Sequence, residues 1–139
     1  MKLFIFAILI SLNTLSNIGN LSLNSEHSLY IMDGDSVSLQ MCIIGIDTPE
    51  IQQICQKCAS KVIDCGQLSK SYLQKLLKSI SGKIVIQRNG VDHYERILMH
   101  IFKGDSNIDK LMVESGMAFS YKETYRLEEN LAKSEKLGF

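Results

Sequence analysis

Apolar residues along the chain fall into short runs at strand period, interrupted by three stretches at helical spacing. Ser28 to Met32 reads as a strand leading into the turn Asp33-Gly34-Asp35. Val37 to Ile46 reads as a second strand, whose continuous apolar end (Met41, Cys42, Ile43, Ile44) suggests burial on both faces. Ile51 to Asp64 is expected to be an irregular loop. Leu68, Tyr72, Leu73, Leu76, Leu77 and Ile80 then recur as one face of a helix that Gly82 stops. Lys83 to Gln87 reads as a strand, Asn89-Gly90 as a turn, and Arg96 to Phe102 as another strand with Ile97, Met99 and Ile101 on one face. Gly104-Asp105 ends it. Asn107 can cap a short helix through Ile108, Leu111 and Met112, with Gly116 after its end. Met117 to Tyr121 gives a last short strand, and Tyr125 to Lys136 a final helix carrying Leu127 and Leu131.

Several short strands with a helix inserted between them fit a small closed or partly open barrel better than a βαβ sheet. The fold class is therefore α+β, with a five-stranded OB-like β-barrel and about three helices. At 139 residues, one domain with a single core is expected. Met1-Lys2 followed by the apolar run Leu3 to Leu12, broken only by Ser11, reads as export machinery. The run is too short for an ordinary membrane span. Residues 1–25 are accordingly assigned to a signal peptide and 26–139 to the domain, which implies a periplasmic or secreted protein. No Ala-x-Ala site follows, so an uncleaved amino-terminal anchor stays open as an alternative, and only that would involve a membrane.

Cysteine usage agrees with export. Cys55, Cys58 and Cys65 crowd one loop, and one bridge within it is expected, with Cys55–Cys65 the preferred pair. Half of a zinc site at Cys55-x-x-Cys58 is the alternative, but no second Cys or His pair follows at useful spacing. Net charge is zero, which by itself argues against a nucleic-acid partner. The distribution is less even. No Lys or Arg occurs from Leu3 to Gln56, whereas seven occur from Lys57 to Arg88 against the single acid Asp64. An acidic pocket beside a basic flank suits a metal-and-phosphate site, and an ordinary solvated helix face suits it nearly as well.

The candidate chemistry lies in two acidic turns, Asp33-Gly34-Asp35-Ser36 and Gly45-Ile46-Asp47-Thr48-Pro49-Glu50. Hard divalent cations take oxygen ligands, which clustered carboxylates at strand ends provide. A spare carboxylate beside a bound cation can activate water. Both sequences are also good turn formers with no further role.

With Asp92-His93-Tyr94-Glu95-Arg96 and Gly116-Met117-Ala118-Phe119 downstream, these motifs occur in an order that resembles the thermonuclease (staphylococcal nuclease-like) family, from about Leu29 to the carboxyl terminus. Cys55 and Cys65-Gly66 also look like the cysteine pair of exported bacterial members. The resemblance implies an OB-fold barrel that cleaves DNA and RNA phosphodiester bonds with Ca²⁺. It implies Asp35 and Asp47 as carboxylate ligands, the Thr48 carbonyl as a further ligand, and Asp33 close by. Glu50 matches the residue that orients or deprotonates the attacking water, Arg96 an arginine holding the scissile phosphate, Tyr94 a tyrosine contacting the nucleotide, and Tyr121 a substrate-stacking aromatic. No protein partner is implied. Read without the resemblance, Arg96 is a surface residue paired with Glu95.

Two departures bear on activity. The family's first phosphate-gripping arginine falls at Cys42, in a segment, Ser36 to Ile46, shorter than the family's hairpin and with no turn former before Gly45. Glu95 stands where the family usually has glycine. Losing one preorganised transition-state donor costs ~10²–10³ in rate. The expectation is a weakened nuclease, with Lys57, Lys61 or another mobile cation partly replacing the arginine, and the alternative a non-catalytic or degenerate OB-fold nucleic-acid-binding module.

Overall fold

The computed structural model describes residues 29–58 and 61–139. The leader expected at residues 1–25 lies outside the described residues, as do the side chains of Lys57, Cys58 and Lys61. In chain order the elements are β1 (Leu29–Ile31), β2 (Val37–Leu39), β3 (Met41–Ile43), β4 (Ile46–Asp47), β5 (Ile54–Cys58), β6 (Lys61–Asp64) and α1 (Cys65–Ser79). There follow β7 (Ile84–Val91), β8 (Ile97–Lys103), β9 (Ser106–Asn107), α2 (Ile108–Glu114), β10 (Phe119–Ser120) and α3 (Arg126–Ser134). No helix among the described residues is long and apolar enough to cross a membrane.

The core forms where α1 and α2 cover one face of β8. Strand alternation turns Ile97, Met99 and Ile101 inward, at 1, 8 and 7% exposure. Met99 and Ile101 pack with Leu76 of α1, with Ile108, Met112 and Val113 of α2, and with Ala118. Burying each large aliphatic side chain contributes roughly 1.5–3 kcal/mol, so this cluster holds the two helices to the sheet. The helix starts agree with the sequence. Asp64 caps α1 by accepting from the Gln67 amide at 2.8 Å, and Asn107 caps α2 by accepting from the Lys110 amide at 2.9 Å. In α3, Leu127 and Leu131 face outward and Ala132 is the buried residue.

The α+β class and the three helices stand, and among the described residues no closed barrel is traced. Among the described residues ten short strands form four small sheets: β1–β2, β4–β10, β5–β6, and a larger sheet in the order β3-β8-β7 with β9 on β8. The run expected as one strand from Val37 to Ile46 is cut at Gln40 and again at Ile44-Gly45. Its first piece pairs antiparallel with β1 and its second runs parallel to β8, so the chain changes partner at Gln40. β2 and β3, three residues each on either side of that break, therefore belong to different sheets.

Two further expectations are corrected. Ile51 to Asp64 contains a hairpin, β5 antiparallel to β6, that carries Ile54 and Val62 on its exposed surface and so shows no core-facing alternation. Asn89-Gly90 is not the β7–β8 turn. The strand runs through it with a register shift between Arg88 and Gly90, where Gly90 takes φ +113°, and the chain reverses at Asp92 to Arg96.

Candidate functional site

A cavity of about 970 Å³ opens between the β4 turn, α1, the β7–β8 turn and the segment after β10. Each wall is fixed by local chemistry. Gly45 takes φ +80°, a left-handed conformation that glycine adopts without strain, and its carbonyl accepts from the Tyr121 amide at 2.9 Å. Opposite it β10 pairs with β4, Phe119 facing Asp47. Asp47 on β4 and Tyr121 just after β10 are thereby carried to one side of the cavity.

Glu50 sits in a turn closed from both ends. Its amide donates to the Gln53 side chain at 3.0 Å, and the Gln53 amide donates to the Glu50 carbonyl at 2.8 Å. The Gln53 carbonyl in turn accepts from the Cys65 and Gly66 amides, two donors that the first turn of α1 leaves unpaired. The Cys55–Cys65 disulfide ties the following strand to the same helix start, with Cα atoms 5.7 Å apart.

Arg96 is organised by Asp92. The Asp92 Oδ1 accepts from the Tyr94 and Arg96 amides at 2.9 Å each, closing the turn. Its Oδ2 accepts from Arg96 Nε at 2.8 Å and from a terminal guanidinium nitrogen at 2.7 Å. Burial opposes ionisation of Asp92, but the Arg96 and Tyr94 hydrogen bonds and the guanidinium charge outweigh it and hold the carboxyl below its ordinary 3.8. The same hydrogen bond raises Arg96. Tyr94 lies with its ring 5.4 Å from the guanidinium, a cation–π contact.

The cavity thus gathers Asp47, Thr48, Glu50, Tyr94, Arg96 and Tyr121, with Cys42 on its wall opposite Leu98 across the β3–β8 pair. Asp33 and Asp35 are not among its lining residues. They are occupied inside the β1–β2 turn, where Asp33 Oδ1 accepts from Ser36 Oγ at 2.5 Å and from the Asp35 amide at 3.2 Å. Those hydrogen bonds, Ser36 first, lower the Asp33 carboxyl. Among the described residues no three His, Cys, Asp or Glu side chains are grouped as they would be around a metal ion. A calcium ion asks for six to eight oxygens. Of the oxygens expected to hold one, those of Asp47 and Thr48 line the cavity, and Asp35 belongs to the β1–β2 turn.

Lys70, His93 and Lys122 also line the cavity and were not singled out from the sequence. Lys70 follows Gly66 by one helical turn, so its place on the Glu50-facing side of α1 could have been read from that spacing. Lys122 follows Tyr121 at φ +49°, with its ammonium 5.4 Å from the Tyr121 ring, and no sequence signal marks it.

Residues 40–139 match the family model described as Staphylococcal nuclease homologue. A Haemophilus influenzae protein described as an uncharacterized endonuclease is 30% identical over 108 residues, a stretch covering 72% of this chain and 54% of that protein. The chain spans about half the length of this relative.

Proposed function

Because the chain belongs to the staphylococcal nuclease homologues, we propose that it is a nuclease that hydrolyses phosphodiester bonds of DNA or RNA, at a rate limited by its incomplete set of cations. The observation that carries this reading is the convergence of Glu50, Arg96, Tyr94 and Tyr121 on one cavity. A phosphodiester enters as an anion. The Arg96 donors left over from Asp92 bind its non-bridging oxygens, and the aromatic faces of Tyr94 and Tyr121 receive the flanking nucleotides. Glu50, outside any ion pair among the described residues, takes the proton from a water whose oxygen attacks phosphorus. The phosphorus–oxygen bond to the leaving sugar then breaks, and that oxygen recovers a proton from solvent.

Calcium is the cation that family membership implies, and the protein is proposed to be exported through residues 1–25. Asp47 and Thr48 line the cavity and would supply oxygens to that ion, with Asp35 proposed as the further carboxylate, and each step above uses only the chain's own side chains. Cys42 in place of a cation favours a second reading: a module that binds nucleic acid without cutting it.

Digestion of plasmid DNA and of RNA with Ca²⁺, with chelator, and with Glu50→Ala tests the choice. A nuclease of this design loses cleavage in chelator and loses ~10²-fold or more on Glu50→Ala. Activity indifferent to both treatments would sink the reading. Binding without cleavage under all conditions would establish the second one.

A further inference from the structure

The charges around the cavity balance only because of two lysines outside the motif residues. Asp47, Glu50 and Asp92 contribute three carboxylates, and Arg96, Lys70 and Lys122 three cations. Without the lysines, one arginine would face three carboxylates, and the Asp92 hydrogen bonds already engage its Nε and one terminal nitrogen. A lining with two excess negative charges repels a polyanion.

Neither lysine has such a partner. Lys70 and Lys122 form no ion pair with any described carboxylate, in contrast to Lys110 and Lys133, which are paired with Glu128 and Glu129. Each is also held near the reacting groups by backbone. Lys70 lies one turn beyond Gly66, which abuts the Glu50 carbonyl. Lys122 follows Tyr121, whose amide is bonded to the Gly45 carbonyl, and lies over the Tyr121 ring at 5.4 Å. An ammonium beside an aromatic face is suited to the phosphate and base of one nucleotide.

We propose that Lys70 and Lys122 bind substrate phosphates at the two sides of this cavity and supply the cationic contact that Cys42 cannot make. This rests on the nucleic-acid reading above and assigns the phosphate track within it. Lysine acts as a mobile point charge and not as a planar fork. The pair therefore restores affinity more than transition-state clamping.

The test is fluorescence anisotropy of a labelled oligothymidylate in chelator over a salt series. Lys70→Gln and Lys122→Gln are each expected to weaken binding about 3- to 10-fold and to flatten the log–log salt slope by roughly 0.7. Lys70→Arg should keep the wild-type slope. Lys78→Gln, in the last turn of α1 and away from this cavity, is expected to leave it unchanged. Thermal melts of all four confirm that folding is intact. A wild-type slope in Lys70→Gln and Lys122→Gln, or an equal loss in Lys78→Gln, overturns the assignment and leaves the nucleic-acid reading standing. Absence of binding by the wild type overturns that reading itself.

Discussion

Gly66 lies so close to the Glu50 carbonyl that a Cβ built on it would fall 1.9 Å from the oxygen and 2.7 Å from its carbon. No side chain fits there, and the backbone of the Glu50 turn has no flexible end that could give way. Gly66→Ala is therefore expected to push that turn off α1. Overpacking of this kind costs about 1–3 kcal/mol, seen in urea unfolding. Cleavage should fall further than stability, because Glu50 moves with the turn. A variant with wild-type stability and activity would show that the turn is not seated on the helix.

Glu95 stands at φ +63°, between Tyr94 and Arg96. A side chain in that left-handed region pays a steric cost that glycine avoids. Glu95→Gly should raise the melting temperature, by an amount worth roughly 0.5–1 kcal/mol. It also removes a carboxylate from the residue next to Arg96, so nucleotide affinity should rise with it. A fall in melting temperature would mean that the Glu95 side chain contributes more than its backbone costs.

These two positions bear on what the sequence made legible. Helix α1, the buried face of β8 and the Asn107 cap could all be read because each rests on local periodicity or a single side-chain hydrogen bond. The sheet connections could not. Whether Met41–Ile43 pairs with its neighbour in sequence or with a strand more than fifty residues away is decided by long-range packing, which the apolar run does not encode. The same holds for the site. Arg96 was legible from its motif, but its partner Asp92 became visible only once the turn showed which carboxylate reaches the guanidinium. Asp33 and Asp35 were read as turn formers as well as ligands, and their bonds within the β1–β2 turn show the first of these roles.

The Cys55–Cys65 bridge closes a ten-residue separation beside the Glu50 turn. Loop-closure entropy gives such a bridge about 2–3 kcal/mol. The double variant Cys55→Ser, Cys65→Ser should lose that much in urea unfolding, and reductant should bring the wild type to the same value. A much smaller loss would show that the hydrogen bonds from Cys65 and Gly66 to Gln53 hold the turn unaided.

Cys42 faces Leu98 across the β3–β8 pair and lines the cavity with Arg96. Cys42→Arg would add a planar fork of donors to that wall, with no carboxylate already claiming it. If a missing transition-state donor limits the rate, turnover should rise by ~10²-fold, with a smaller change in KM. Gel-based cleavage kinetics with excess substrate measure this. An unchanged turnover would show that the absent guanidinium does not limit the rate.

Acid should weaken the fold through specific carboxylates. Asp92 lies below its ordinary 3.8 and Glu128 below its ordinary 4.5, the latter through the backbone amide at the start of α3 and then through Lys110. Groups lowered on folding bind more protons when unfolded, so their stabilisation is fully present above the unfolded values and is lost as pH falls through the folded ones. Stability should be level through neutral pH and begin to fall below about pH 5, continuing below 3.8. Asp92→Asn cannot be protonated and leaves Arg96 without its ion pair. It should therefore lower the plateau and flatten the acid limb together, as read from urea midpoints across the pH series. An acid limb as steep as that of the wild type would assign the loss to other carboxylates and remove Asp92 as the anchor of the Arg96 turn.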